Sequence, residues 1–117
     1  GEEVYAFPVP PAHTDGDTFI HFVDSDVIHT GDVFRTTAFP VIDTNNGGTL
    51  VGTLQALGIL IGTAGPDTKI LPGHGEIFSQ AELYHHKPSY LLSYYDFNMN
   101  ELWFKRQFYQ NQVVLAN

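Results

Sequence analysis

The first third of the chain alternates short apolar runs with polar turns. Residues 4–9 and 18–23 are rich in β-branched and aromatic side chains, and Val27-Ile28-His29 is a third run of this kind. Prolines close the first run, and Asp24-Ser25-Asp26 separates the second from the third. Runs of this composition between turn residues are typical of β-strands. We therefore predict three short strands, the second and third paired across the turn.

Residues 35–48 are rich in Pro, Asp, Asn and Gly, a composition that predicts a long irregular loop. A helical pattern begins after this loop. Beyond this loop, apolar residues recur at the spacing of one helix face, at Leu50, Leu54, Leu57 and Ile61. Thr49 is predicted to cap a helix over residues 50–64, and Gly65-Pro66 to end it. Residues 68–72 predict a further strand, and helices are expected near 79–86 and 99–111 in an aromatic tail.

Strands on either side of a helix predict the α/β or α+β class, with helices on one face of the sheet. The 117 residues fit a single domain over residues 1–117. The longest apolar stretch, residues 50–64, is interrupted by polar residues and glycine and is too short to span a bilayer. The first residues lack the basic region of a signal peptide. We therefore expect a soluble protein, while its compartment and oligomeric state stay open.

The net charge and the cysteine content of the chain limit the classes of partner and site that we expect. There are 13 acidic and 5 basic residues, which gives a net charge of −8. A uniformly acidic surface repels phosphate backbones and anionic lipids, so nucleic acids and membrane surfaces are disfavoured as partners. Cysteine is absent, which excludes disulfides, thiolate zinc sites and a cysteine nucleophile. Histidine and carboxylate groups are left as the main metal-capable side chains.

Three segments share one arrangement, in which a short apolar strand is followed by a glycine-containing turn with a metal-capable side chain. His13 follows the first strand, Asp32 the third, and His74 the strand at 68–72. Side chains placed just beyond strand ends can converge at one edge of a sheet. Two imidazoles and one carboxylate suit Zn²⁺, Fe or Mn²⁺. The pattern predicts a partial metal site; the alternative is that each side chain only bonds the backbone of its own turn.

These turns resemble motifs of the metallo-β-lactamase superfamily. The matching segments are Pro11-Ala12-His13-Thr14-Asp15-Gly16-Asp17, Val27-Ile28-His29-Thr30-Gly31-Asp32-Val33-Phe34 and Ile70-Leu71-Pro72-Gly73-His74-Gly75. Their order and the glycine-rich helix between the last two also agree, and the resemblance covers residues 4–78. It implies the second half of an αβ/βα sandwich, with a mixed sheet and helices on one face. Residues 79–117 would then form a divergent, aromatic helical tail.

The resemblance also implies roles for the three side chains. His13 resembles a histidine ligand of a first zinc ion and His74 a histidine ligand of a second. Asp32 resembles the carboxylate between the two metals and is the candidate catalytic residue. In this family a hydroxide held between the metals attacks a carbonyl. The resemblance thus implies a site for two Zn²⁺ ions and hydrolysis of an ester, thioester, lactone or lactam, without naming the small-molecule substrate.

One departure from the family pattern shapes the hypothesis. The signature His-x-His-x-Asp-His, which supplies the other ligands in this family, is absent, and no histidine precedes His13. The leading hypothesis is therefore the C-terminal part of a zinc hydrolase that is incomplete as a single chain. It would need an N-terminal half or self-association. The alternative is a non-catalytic, self-associating structural module derived from a hydrolase half, so enzymatic activity stays an open question.

Other polar side chains of these segments have local roles in this interpretation. Asp15 and Asp17 are expected to bond backbone amides of their own turn or a ligand imidazole. His29 is expected to form a hydrogen bond at the end of its strand. His21 lies between two apolar neighbours and is expected to face solvent.

Overall fold

The computed structural model of the protein describes residues 1–82 and 113–116. Its elements are the strands β1 (Val4–Pro8), β2 (Thr18–Phe22), β3 (Val27–His29), β4 (Lys69–Leu71), β5 (Phe78–Ser79) and β6 (Val113–Ala116) and the helix α1 (Leu50–Thr63). The strands form one sheet in the order β5-β4-β3-β2-β1-β6. Strands β3 and β4 run parallel, joined by α1, and the other neighbours run antiparallel. The predicted α/β class with a mixed sheet is confirmed.

The strand register separates the sheet into two unlike faces. Residues directly opposite each other on paired strands share a face. One face carries the large buried side chains of the strands, each at most 8% exposed: Phe7, Phe19, Ile28, Ile70 and Phe78. The apolar side chains of the other face are only partly buried: Ile20, Phe22, Val27 and Leu71.

Helix α1 packs on the buried face of the sheet. Leu54, Leu57 and Leu60 belong to the same core cluster as the buried strand residues. Each fully buried leucine stabilises the fold by roughly 2 kcal/mol through the apolar area it removes from water. The helix begins where Thr49 Oγ1 accepts a hydrogen bond from Gly52 N–H at 2.8 Å. The predicted helix and its threonine cap are therefore confirmed.

The predictions for the later part of the chain agree only in part with the structure. Strand β4 is shorter than the predicted residues 68–72, because the Thr68 amide donates to the Gly65 carbonyl at 3.2 Å within a turn and Pro72 has no amide hydrogen for the sheet. Of the helix expected near 79–86, Ser79 belongs to β5, residues 80–82 are helical, and residues 83–86 lie outside the described residues. The expected helix at 99–111 lies outside the described residues. Within the described part of the chain, no helix is both long and apolar enough to cross a membrane.

Candidate metal centre

Turns that follow β1, β3 and β4 meet beside one another and bring together His13, Asp32 and His74. His74 Nε2 lies 3.1 Å from Asp32 Oδ1, and His13 Nε2 lies 3.7 Å from Asp32 Oδ2. Each oxygen of one carboxylate therefore faces one imidazole. The His13 side chain is 23% exposed and that of His74 58%, so the cluster opens to solvent on the His74 side. The three side chains lie together, and their role as metal ligands remains a prediction.

The turn that carries His13 is held from within by Asp17. Its Oδ2 accepts hydrogen bonds from the Ala12 and Thr14 amides at 3.2 and 3.1 Å, and its Oδ1 accepts one from the Thr14 hydroxyl. The expected role of Asp17 as a carboxylate that bonds backbone amides of its own turn is confirmed. Asp15 is exposed, and its own backbone amide donates to the Asn46 carbonyl instead.

Two residues from the later chain also hold this turn: Asp43 in the loop and Thr49 at the N-terminus of α1. Thr49 Oγ1 donates to the Pro11 carbonyl at 2.7 Å, and the Asp43 amide donates to the His13 carbonyl at 2.9 Å. Gly52 packs directly on the Pro11 carbonyl, and any Cβ at position 52 would overlap it. The helix cap and the turn that carries His13 are therefore one packed unit.

The tautomer of His13 follows from its second ring nitrogen. His13 Nδ1 lies 2.8 Å from the Val41 carbonyl oxygen. A carbonyl can only accept, so Nδ1 carries the ring hydrogen and the neutral ring directs the Nε2 lone pair towards Asp32. Two acceptors then face each other across 3.7 Å. A positive charge between them, a proton or a metal cation, stabilises such an arrangement.

The position of Asp32 depends on a close approach between two turns. Asp32 lies in a 3-10 turn, Gly31–Val33, and Gly31 has a left-handed φ of 55°. Gly73 N–H donates to the Gly31 carbonyl at 2.8 Å. A Cβ at Gly73 would overlap Asp32 Oδ1 and lie 2.6 Å from the Gly31 oxygen. A residue without a side chain at position 73 therefore lets the two turns meet.

The turn of His74 is aligned by the segment after Asp32. Arg35 forms an isolated parallel β-bridge with His74, the Thr36 amide donates to the His74 carbonyl at 3.0 Å, and the Glu76 amide donates to Thr36 Oγ1 at 2.8 Å. These contacts extend the sheet by one pair of residues beyond β3 and β4. They hold the backbone of His74 next to that of Asp32.

The predictions for two further histidines, His29 and His21, differ in their agreement with the structure. The expected strand-end bond of His29 is confirmed, because its Nδ1 accepts a hydrogen bond from Gly31 N–H at 3.2 Å. The expectation that His21 faces solvent is wrong. Its register partner is Ile28, so it points to the same face as the core and is half-buried. Burial lowers the pKa of the His21 imidazole, against the smaller effect of the Asp26 charge.

A second carboxylate lies close to His13. Hydrogen bonds from Asn46 lower the pKa of Asp43: its side-chain amide donates at 2.7 Å and its backbone amide at 3.2 Å. When its imidazole is protonated, His13 lowers the pKa of Asp43 further. Asp43 is therefore ionised at neutral pH and adds negative potential beside the cluster.

The donor set fits zinc only in part. Two donor atoms that are each about 2.1 Å from one zinc ion lie roughly 3–3.8 Å apart, and the two imidazole–carboxylate pairs, at 3.1 and 3.7 Å, fall in this range. Each pair offers two donors, whereas a catalytic zinc takes three protein ligands and a structural zinc four. In agreement, no group of three or more His, Cys, Asp or Glu side chains within residues 1–82 could hold a metal ion.

Two features of the cluster leave no signal in the sequence. The Val41 carbonyl is a backbone atom of an irregular loop, 28 residues from the ring it bonds. Arg35 has a buried Nε without a hydrogen-bond partner within the described residues. Residue type alone does not locate either feature, because both depend on how the loop after β3 folds back.

Comparison with known proteins gives one informative result. No protein-family model matches the chain, and no curated protein matches it in sequence. Among solved structures, the crystal structure of VMB-1 at pH 5.5, a metallo-β-lactamase, matches with a TM-score of 0.59 and 18% sequence identity. The match covers 77% of this chain and 41% of VMB-1. At this identity the likeness shows the fold alone: the described chain has the architecture of one α/β half of a metallo-β-lactamase fold.

Proposed function

We propose that this chain carries one side of a two-zinc site in a hydrolase that acts on an ester, thioester, lactone or lactam. The observation that carries the proposal is the Asp32 carboxylate, which faces His13 with one oxygen and His74 with the other. A carboxylate shared in this way suits two cations bound side by side. The fold of the VMB-1 half supports the same assignment.

The orientation of His13 supports a cation in preference to a plain hydrogen bond. Because the Val41 carbonyl holds the ring hydrogen on Nδ1, the Nε2 lone pair is free for a metal. An orienting hydrogen bond on the other ring nitrogen is the usual arrangement of metal-binding histidines. A direct His13–Asp32 hydrogen bond would need the opposite tautomer or a protonated ring.

In this proposal His13 and Asp32 would help to hold a first zinc ion, and Asp32 and His74 a second. Zinc, when bound, supplies a Lewis acid and lowers the pKa of water to near 7. The negative charge of the Asp32 carboxylate would offset part of the charge of bound zinc, and its oxygens are able to accept a hydrogen bond from water at the site. The half-exposed His74 side leaves room for a small-molecule acyl substrate.

The missing ligands would come from a second layer on the sheet face opposite α1. Ile20, Phe22, Val27 and Leu71 are apolar yet only partly buried on that face. The chain spans 41% of the length of VMB-1. We propose that an N-terminal half, from the same protein or a separate chain, covers this face and completes both zinc sites.

The same face favours a second candidate function. Apolar strand residues without full cover also suit self-association, so the chain could instead be a non-catalytic structural module. The two candidates differ in metal binding. A hydrolase half binds zinc through Asp32, whereas a structural module forms dimers or filaments without it.

A metal titration tests the proposal. Zn²⁺ and Co²⁺ affinities would be measured against a chromophoric chelator for the wild type, Asp32→Ala and the control Asp24→Ala, which removes an exposed turn carboxylate. We expect weak binding, with two donors per ion, in the wild type and the control, and at least about a tenfold loss for Asp32→Ala. Equal affinities for the two variants, or no uptake by the wild type, would contradict the zinc site.

Activity and assembly separate the remaining possibilities. Chromogenic ester and β-lactam substrates would be assayed with the chain alone and with a separately produced first half of a metallo-β-lactamase fold. We expect turnover only in the mixture. Full turnover by an isolated monomer would refute the need for a second half. Light scattering that detects metal-free dimers or filaments, without zinc uptake, would favour the structural module.

A further inference from the structure

His29 lies at the end of β3, three residues before Asp32, on the sheet face opposite α1. Its register partners are Ile20 on β2 and Leu71 on β4, so it is flanked by strands on both sides. The side chain is half-buried. Neighbouring strands restrict this ring more than a loop would restrict it, which makes it a stable support for the following turn.

The imidazole of His29 accepts a hydrogen bond from that turn. Gly31 N–H donates to His29 Nδ1 at 3.2 Å. An accepting ring nitrogen is unprotonated, so the neutral ring carries its hydrogen on Nε2. The bond spans two residues, a spacing at which side-chain acceptors close local turns on their own backbone.

Gly31 depends on a side-chain acceptor because it begins the 3-10 turn Gly31–Val33. Amides at the start of a helical turn have no carbonyl within that turn to donate to. On the other side, the Gly31 carbonyl accepts from Gly73 N–H at 2.8 Å. The left-handed residue is therefore held through its amide by His29 and through its carbonyl by Gly73.

Asp32 follows Gly31 directly, so the backbone of Gly31 sets the origin and direction of the Asp32 side chain. We infer that His29 is a positioning residue for Asp32: by fixing the Gly31 amide, it directs one carboxylate oxygen to His13 and the other to His74. Its effect on zinc affinity rests on the proposed function. The hydrogen bond and the orientation of Asp32 can be tested without a metal.

Two substitutions of His29 separate positioning from simple packing. In His29→Asn, the side-chain oxygen Oδ1 lies the same number of bonds from Cβ as Nδ1 does in histidine. It can therefore accept the hydrogen bond from the Gly31 amide. In His29→Gln, the carbonyl oxygen is one bond further and corresponds to Nε2. His21→Gln serves as the matched control, because His21 is a strand histidine on the other face of the sheet.

Nuclear magnetic resonance of the full chain without metal gives the primary readout. Hydrogen exchange of the Gly31 amide reports the hydrogen bond, and the couplings of Asp32 report its χ1 rotamer. We expect slow exchange and one rotamer in the wild type, His29→Asn and His21→Gln. In His29→Gln we expect at least about tenfold faster exchange and averaged couplings, as local opening exposes the amide.

Zinc affinity gives the second readout. We expect His29→Gln to weaken zinc binding by about tenfold or more, and His29→Asn and His21→Gln to stay within about threefold of the wild type. A ring that acts only by packing would lower the unfolding temperature equally in both His29 variants and would leave the Asp32 couplings unchanged.

The outcomes are distinguishable. Equal Gly31 exchange and equal Asp32 couplings in His29→Asn and His29→Gln would overturn the inference. Ring ¹⁵N shifts that place the wild-type hydrogen of His29 on Nδ1 would also overturn it, even if the glutamine variant does not fold. Absence of zinc uptake by the wild type would instead refute the proposed function, while the exchange and coupling data would still decide the role of His29.

Discussion

Replacing Gly73 by alanine should separate the turns that carry Asp32 and His74. The added methyl group would lie 2.6 Å from the Gly31 carbonyl oxygen and 2.7 Å from its carbon, and it would overlap Asp32 Oδ1. The Gly31 atoms belong to a hydrogen-bonded backbone and not to a flexible side chain. One of the two turns therefore has to move.

The cost can be worked out from these contacts. Forcing a methyl group against fixed backbone costs about 1–3 kcal/mol, and losing the Gly73–Gly31 hydrogen bond costs about 1 kcal/mol. The lower entropy of the unfolded alanine chain offsets roughly 0.7 kcal/mol. The net loss is about 1.3–3.3 kcal/mol, which lowers the unfolding temperature by roughly 5–13 °C in a domain of this size.

Urea denaturation followed by circular dichroism measures the change in the free energy of unfolding. Gly16→Ala is the matched control, since a Cβ at this turn glycine meets no atom within 4 Å. We expect the control to stay within about 0.5 kcal/mol of the wild type. If Gly73→Ala matched Gly16→Ala, the close approach would not be needed and the reasoning about this site would be wrong.

Three further changes test the supports of the cluster. Thr49→Ala should lower the free energy of unfolding by about 1–2 kcal/mol through loss of the helix cap. Thr49→Ser should retain most of the stabilisation by the cap, and equal losses for the two variants in urea denaturation would contradict the capping role. Asp17→Ala should cost about 2–3 kcal/mol, because two backbone amides lose a charged acceptor, and Asp17→Asn should cost less; thermal unfolding of both measures the difference. Acidification below pH 6.5 should destabilise the protein through His21. The pKa of this imidazole is lower in the folded protein than in the unfolded chain. The unfolded chain therefore binds the proton more tightly, and protonation favours unfolding. His21→Leu should flatten this part of the stability–pH curve, and an unchanged slope would refute the assignment.

Local patterns were sufficient for the elements that carry their own signals. Strands β1 to β3 combine apolar runs with turn residues, and α1 has a threonine cap and a leucine period, so their sequence predictions agree with the structure. Strand β5 is only two residues long and exists through its pairing with β4. A pairing of this kind depends on tertiary contacts, so no local pattern predicts it.

The sequence was enough to predict which three residues form the cluster, but not the hydrogen bonds that orient them. The placement of His13, Asp32 and His74 after strand ends was enough to expect their convergence, because strand ends of one sheet lie together. The tautomer of His13 was not predictable, since a backbone atom of a distant loop sets it. The error on His21 has a related cause: alternation defines two faces, and the pairing register decides which of them meets the helix.

The hydrogen bond between Val41 and His13 couples the chemistry of the ring to the length of the loop after Asp32. An insertion at the stem of this loop would shift the Val41 carbonyl and release the ring to exchange its tautomer. His13 could then donate directly to Asp32 and close the gap between them. Under the proposed function, a change in the length of this loop would therefore weaken cation binding without altering any of the three proposed ligands.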